Sequence, residues 1–166
     1  VEEQGKLRQK EALEIMEKIT QAVIYAHEQG IVHRDIKPEN IIIDKQGVPH
    51  LMDFGLARQM EIQETRFTKT GMILGSPECM APEQALGEKT VSFPADIYAL
   101  GATLYFMLSG RLPFESGDVM KLLLDVVEKP VYPLRRLNPL VSHEVEVIVH
   151  KCLEKDPKDR YANAEE

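Results

Sequence analysis

The sequence is poor in the features that would place a protein outside the cell or within a membrane. It has two cysteines, Cys79 and Cys152, far apart and in no metal-binding or redox spacing. That usage fits a reducing, cytoplasmic compartment rather than a disulfide framework. The opening stretch, VEEQGKLRQKEAL, has neither the apolar centre nor the small-residue cleavage site of a signal peptide. The longest nearly uncharged run, Ile97 to Arg111, falls short of the roughly 20 residues needed to span a bilayer. Internal repeats and low-complexity segments are also lacking. Positive charge is in deficit: 20 basic against 27 acidic residues give a formal charge of -7. Such a balance argues against non-specific binding to nucleic acid or anionic lipid and favours a basic partner. The 166 residues suffice for one compact core, and residues 1–166 are read as one unit.

What is present reads as mainly helical with a small strand-rich middle. Between Glu11 and Glu28, the residues Ala12, Met16, Ile19, Val23 and Ala26 recur at alternating steps of four and three, which lines one face of a helix. Gly30 suits its C-terminal stop. Two short apolar runs, Ile41 to Ile43 and His50 to Met52, flank the turn-forming DKQG, which predicts a hairpin. The next thirty or so residues, from DFG to APEQ, show neither period, and so long a stretch within a compact domain is usually functional or mobile. Then ADIYALGATLYFMLSG, apolar nearly all round, predicts a helix buried on every side. Pro113 prevents its continuation. Asp118 to Glu128 predicts an amphipathic helix, and KPVYPLRRLNPL a proline-punctuated loop. Ser142 is a candidate cap for a helix with Val145, Ile148, Val149 and Cys152 on one face. The final YANAEE reads as the first turn of another helix.

The chemistry concentrates in HRDIKPEN, His33 to Asn40, just before the hairpin. Asp35, Lys37 and Asn40 share one short loop at a strand edge, and a second acid, Asp53, opens DFG directly after the returning strand. A carboxylate and an amide are hard oxygen ligands suited to magnesium, which typically takes one or two carboxylates plus substrate phosphates. The remaining carboxylate can accept a proton. Lys37 is a compact cation suited to a phosphoryl oxygen. Metal, neutralising cation and a group that orients a hydroxyl are the parts phosphoryl transfer requires.

HRDIKPEN, DFG and APE (Ala81, Pro82, Glu83), in that order, resemble the catalytic loop, magnesium loop and end of the activation segment of eukaryotic-type (Hanks-type) serine/threonine protein kinases. GSPECMAPEQA, DIYALG and DPKDR extend the likeness over essentially the whole chain, and its style is similar to bacterial members. The resemblance implies the lower, C-terminal lobe of the kinase α+β fold, mainly α with short hairpins around the catalytic loop. It implies ATP and Mg2+ as cofactors and Ser/Thr hydroxyls of proteins as acceptors. Asp35 would be the catalytic base, Lys37 would touch the transferred phosphoryl group, and Asn40 and Asp53 would hold magnesium. Lys37 resembles the serine/threonine branch, since tyrosine kinases usually lack a lysine there. Arg34 would pair with a phosphorylated Thr68 or Thr70, with Thr65 behind them. Ser76, where threonine is usual, would bond the catalytic Asp and Lys; Cys79 stands where a tyrosine is common. Asp96 would accept backbone N–H bonds from the catalytic loop. Glu83 and Arg160 resemble the pair that pins the activation segment, and His33 and Phe54 members of the hydrophobic spine.

Nothing before Glu11 offers a glycine-rich loop, a strand lysine or its partner glutamate. An upper lobe is therefore expected in cis, and the 166-residue chain alone is expected to be inactive. A non-catalytic interaction module is the alternative; a small-molecule phosphotransferase is disfavoured by APE and the long segment before it. His27, His50, His143 and His150 read as helix-surface or core-edge residues rather than ligands.

Overall fold

The computed structural model describes residues 5–54, 77–88 and 91–166. The first long helix, α1 (Gln9–Glu28), buries Ala12, Met16, Ile19, Val23 and Ala26, the stripe its periodicity predicts. It ends in the two bonds of a Schellman motif, Gly30 N–H to His27 O at 2.9 Å and Ile31 N–H to Ala26 O at 2.9 Å. The motif needs a left-handed residue at its turn, and Gly30 supplies it at φ +71°.

A loop leads from α1 to an antiparallel hairpin of β1 (Ile41–Ile43) and β2 (Pro49–Leu51), in register Ile41 to Leu51 and Ile43 to Pro49. It is the only sheet among the described residues. Asp44 organises the turn: its Oδ1 accepts from the N–H of Gln46 and of Val48, each at 2.8 Å. The second strand runs one residue earlier than predicted. Met52 lies beyond it, and its N–H bonds Asn40 O at 2.8 Å, which ties the DFG segment back to the catalytic-loop candidate.

After the short helix α2 (Pro82–Ala85) comes α3 (Phe93–Ser109), which is buried on all sides and lies against α1 and the later helices. Its one charged residue, Asp96, is wholly buried. Asp118 caps α4 (Val119–Glu128) by accepting Lys121 N–H at 3.0 Å. A single turn, α5 (Leu134–Leu137), precedes α6 (His143–Cys152), whose N-cap Ser142 accepts Val145 N–H at 3.4 Å. Helix α6 presses closely on α3: a Cβ placed on Gly101 would stand 2.5 Å from Cys152 Cβ. Val145 and Val149 enter the core, but Ile148, predicted to share their face, is 45% exposed. It falls at the flank of the buried arc that positions 145, 149 and 152 define. Residues 161–166 form bends and a turn instead of a helical start. No helix among the described residues is long and apolar enough to cross a membrane.

Candidate active site

The loop at residues 33–40 is held from beneath by α3. Asp96 accepts His33 N–H on Oδ2 and Arg34 N–H on Oδ1, both at 2.8 Å. A third donor, His27 Nε2 from the last turn of α1, reaches Oδ2 at 2.9 Å, with its ring 4.4 Å from that of Phe93. Three donors offset the desolvation of a carboxylate with no exposed surface. The loop is also held from α2: Gln84 Nε2 donates to Arg34 O at 3.1 Å, while Gln84 Oε1 accepts Ala81 N–H at 3.1 Å. Arg34 itself lies at φ +67°, a left-handed conformation rare outside glycine.

Above this frame the side chains converge on Asp35. Lys37 Nζ lies 3.1 Å from Asp35 Oδ2, and Asn40 Nδ2 donates to the same oxygen at 3.1 Å and to Asp35 O at 2.7 Å. With its nitrogen so engaged, Asn40 keeps its amide oxygen as an acceptor. Lys37 and Asp35 retain 16% and 22% of their side-chain exposure, so the pair is reachable from solvent. His33 packs beneath: its Nδ1 accepts Asp35 N–H at 3.3 Å, which leaves Nε2 as the proton-bearing nitrogen that donates to Met52 O at 2.9 Å. Phe54 meets the same imidazole edge-on, 4.6 Å between centroids.

Asp53 is thus fixed by its neighbours. Met52 is bonded to Asn40 and His33, and Phe54 is packed on His33. Asp53 is exposed and stands at φ +67°; its carboxylate makes no bond among the described residues. One exposed carboxylate and one amide oxygen at the same edge suit magnesium, which fills its remaining positions with water and phosphate. Among the described residues no group of three or more His, Cys, Asp or Glu could hold a metal unaided.

Glu83 and Arg160 form a buried bidentate pair: Nη1 to Oε1 and Nη2 to Oε2, both 2.8 Å. Arg160 also donates to the carbonyls of Glu154, Pro94 and Lys155, so all five of its N–H groups are used. Cys79 is free and buried. Burial first, then the nearby Glu39 and Glu78, pushes its thiol up to about 12. Thr65, Thr68, Thr70 and Ser76 lie outside the described residues. Sequence reasoning missed His27, which bonds Asp96 beneath the loop, and Gln84, which bonds the loop at Arg34 O, because each meets its partner far along the chain.

The family description "Protein kinase domain" matches residues 1–166. The chain belongs to the protein kinase family. It is similar to the serine/threonine-protein kinase PrkC of Bacillus subtilis, 43% identical over 162 residues that cover 98% of this chain and 24% of PrkC. It is also similar to PknB of Mycolicibacterium smegmatis, 39% identical over 163 residues, covering 98% of this chain and 26% of that protein. The chain thus spans about a quarter of these relatives. Among solved structures, Rad53 1-466 in complex with AMP-PNP superposes with a TM-score of 0.75 at 27% identity, covering 96% of this chain and 39% of Rad53. The architecture described above is that of the helical lower lobe of the protein-kinase fold.

Proposed function

We propose that residues 1–166 form the lower lobe of a serine/threonine protein kinase which, joined in cis to an upper lobe, transfers the γ-phosphoryl group of ATP to Ser or Thr hydroxyls of protein substrates. The observation that carries this reading is the Asp35 carboxylate, met by Lys37 and Asn40 on a loop anchored to the buried Asp96. Asp35 orients the acceptor hydroxyl and takes its proton. The hydroxyl oxygen bonds to the γ-phosphorus as the bond to the β,γ-bridging oxygen breaks, and ADP leaves. Lys37 neutralises a phosphoryl oxygen during that exchange. Asn40 and Asp53 would hold magnesium, which supplies charge neutralisation on the phosphates when bound. The AMP-PNP complex of the similar Rad53 supports a nucleotide here.

Control falls to the segment between Asp53 and Glu83. A phosphate on Thr68 or Thr70 would pair with Arg34 and order that segment, and Ser76 would bond Asp35 and Lys37. The reducing-type cysteine usage favours a cytoplasmic setting, and the acidic balance a basic protein substrate rather than nucleic acid. Without an upper lobe the chain lacks the lysine–glutamate pair that activity needs, so alone it turns nothing over.

The test is Asp35→Asn in the protein with its upper lobe. Peptide phosphorylation is expected to fall by about 10²–10⁴-fold, the span of general acid–base contributions, with ATP binding retained. Near-normal turnover would refute the assignment. One observation favours a second reading as a binding module: Ile42, Ile43, Val48 and Met52 are all exposed around the hairpin. An upper lobe or another partner would cover that apolar edge. The isolated lobe should bind magnesium-ATP feebly, and micromolar affinity measured by calorimetry would contradict its need for an upper lobe.

A further inference from the structure

We propose that Gln84 is a positioning residue: it locks the peptide between Arg34 and Asp35 and so makes the pose of Asp35 depend on the docking of residues 81–85. The inference rests on the reading of Asp35 as the catalytic base. Three observations converge on it.

The first is the conformation of Arg34, at φ +67° without being glycine. A residue in that region holds its place only where the surroundings over-determine it. Asp96 fixes the nitrogen side of Arg34. The carbonyl side remains, and Arg34 O belongs to the same rigid peptide plane as Asp35 N. Whatever grips that oxygen sets the plane from which Asp35 springs. Gln84 Nε2 is the donor that grips it, at 3.1 Å. On the opposite side of the plane Asp35 N–H meets His33 Nδ1 at 3.3 Å, so the plane is held at both of its polar atoms. A flip would break both bonds and swing Asp35 away from Lys37 and Asn40.

The second is that Gln84 is itself oriented. Its Oε1 accepts Ala81 N–H at 3.1 Å, so the amide cannot rotate without losing that bond, and its nitrogen is left facing Arg34.

The third is what anchors the element. Glu83, the preceding residue, carries the buried bidentate bonds to Arg160. The route is therefore continuous: Arg160 seats Glu83, Glu83 places Gln84, Gln84 fixes Arg34 O, and Asp35 follows. Undocking of residues 81–85 would release the Arg34 carbonyl and let the peptide flip. The segment end would then act as a condition for turnover.

The experiment uses the full protein with its upper lobe. Gln84→Glu keeps the acceptor for Ala81 N–H but replaces the donor to Arg34 O by a repelling oxygen; Gln84→Met removes both. In each, kcat is expected to fall about tenfold, with KM for ATP and for peptide unchanged within about twofold, since the lost interaction orients the base and does not touch ligand. Amide exchange should accelerate at residues 34–37 while α3 and α6 keep their protection. An unchanged kcat overturns the inference, and so does a loss of protection that spreads to α6. Asp35→Asn measured alongside separates the two levels. An active Asp35→Asn sinks the catalytic reading, whereas an inactive one beside a fully active Gln84→Glu sinks only the role of Gln84.

Discussion

Helix α3 and the loop at residues 33–40 meet at one carboxylate, yet they are built by opposite rules. Helix α3 buries apolar side chains on every face, with Asp96 as its single charge. Its place is set by area removed from water, a non-directional force spread over many contacts. The loop buries His33, Ile36 and Asn40 but owes its shape to a few directional bonds: two to Asp96, one from Gln84 and the pair that ends on Asp35. Two residues at this rim, Arg34 and Asp53, sit in left-handed conformations, whereas α3 departs nowhere from helical geometry until Gly110. The contrast teaches that the body tolerates gradual change while the rim fails bond by bond.

The strongest way to break that division is Arg160→Met. It strands the buried Glu83 carboxylate and three carbonyls, and an uncompensated buried charge costs about 3–5 kcal/mol. A 166-residue chain should lose roughly 10 °C in Tm, and Arg160→Lys should not restore it, because an ammonium cannot supply five planar donors. An unchanged melting temperature would count against the pair. Next is Asp96→Ala, which leaves two loop N–H groups and His27 Nε2 without their acceptor. About 3 kcal/mol is expected, and in the protein with its upper lobe turnover should be lost well before unfolding; equal loss of both would show that rim and body are not separable. Gly101→Ala tests the body. The new Cβ at 2.5 Å from Cys152 forces α3 and α6 apart, at about 1–3 kcal/mol, less about 1 kcal/mol of helix propensity gained. A higher Tm in that variant would refute the close approach.

The smallest effect is at Lys155. Its ammonium bonds Val126 O and lies 4.2 Å above the Phe114 ring, and burial, followed by the nearby Arg160, draws its pKa down to about 8. The unfolded chain, with a lysine near 10.5, then holds more protons than the native one between those values. Native stability should rise with pH across that window relative to Lys155→Met, as read in parallel denaturant titrations. A parallel pH dependence of the two proteins would remove the effect.

The body was the legible part. The steps of four and three in α1 named all five of its buried positions, and the unbroken apolar run of α3 announced its burial. Ser142 was readable as a cap because a cap acts on residues three positions away, whereas Asp118, read as the first residue of its helix, proves to be the cap. Ile148 misled because i, i+3 spacing marks an arc and not its width. The closing YANAEE misled because composition alone does not nucleate a turn of helix. At the rim, residues 35, 37, 40 and 53 stood out by their chemistry and by resemblance. The left-handed turns at Arg34 and Asp53, and the reach of His27 and Gln84 across the chain, had no local signature to read.

One property of Asp96 reaches beyond stability. Its oxygens grip peptide nitrogens at positions 33 and 34, and every amino acid except proline presents that nitrogen alike. The fastening therefore grips the backbone at these positions and not the side chains mounted on it. The arginine at 34 could be exchanged for another residue that tolerates a left-handed backbone while both bonds to Asp96 stay in place, so the seat of the loop and the side chains it displays can change independently.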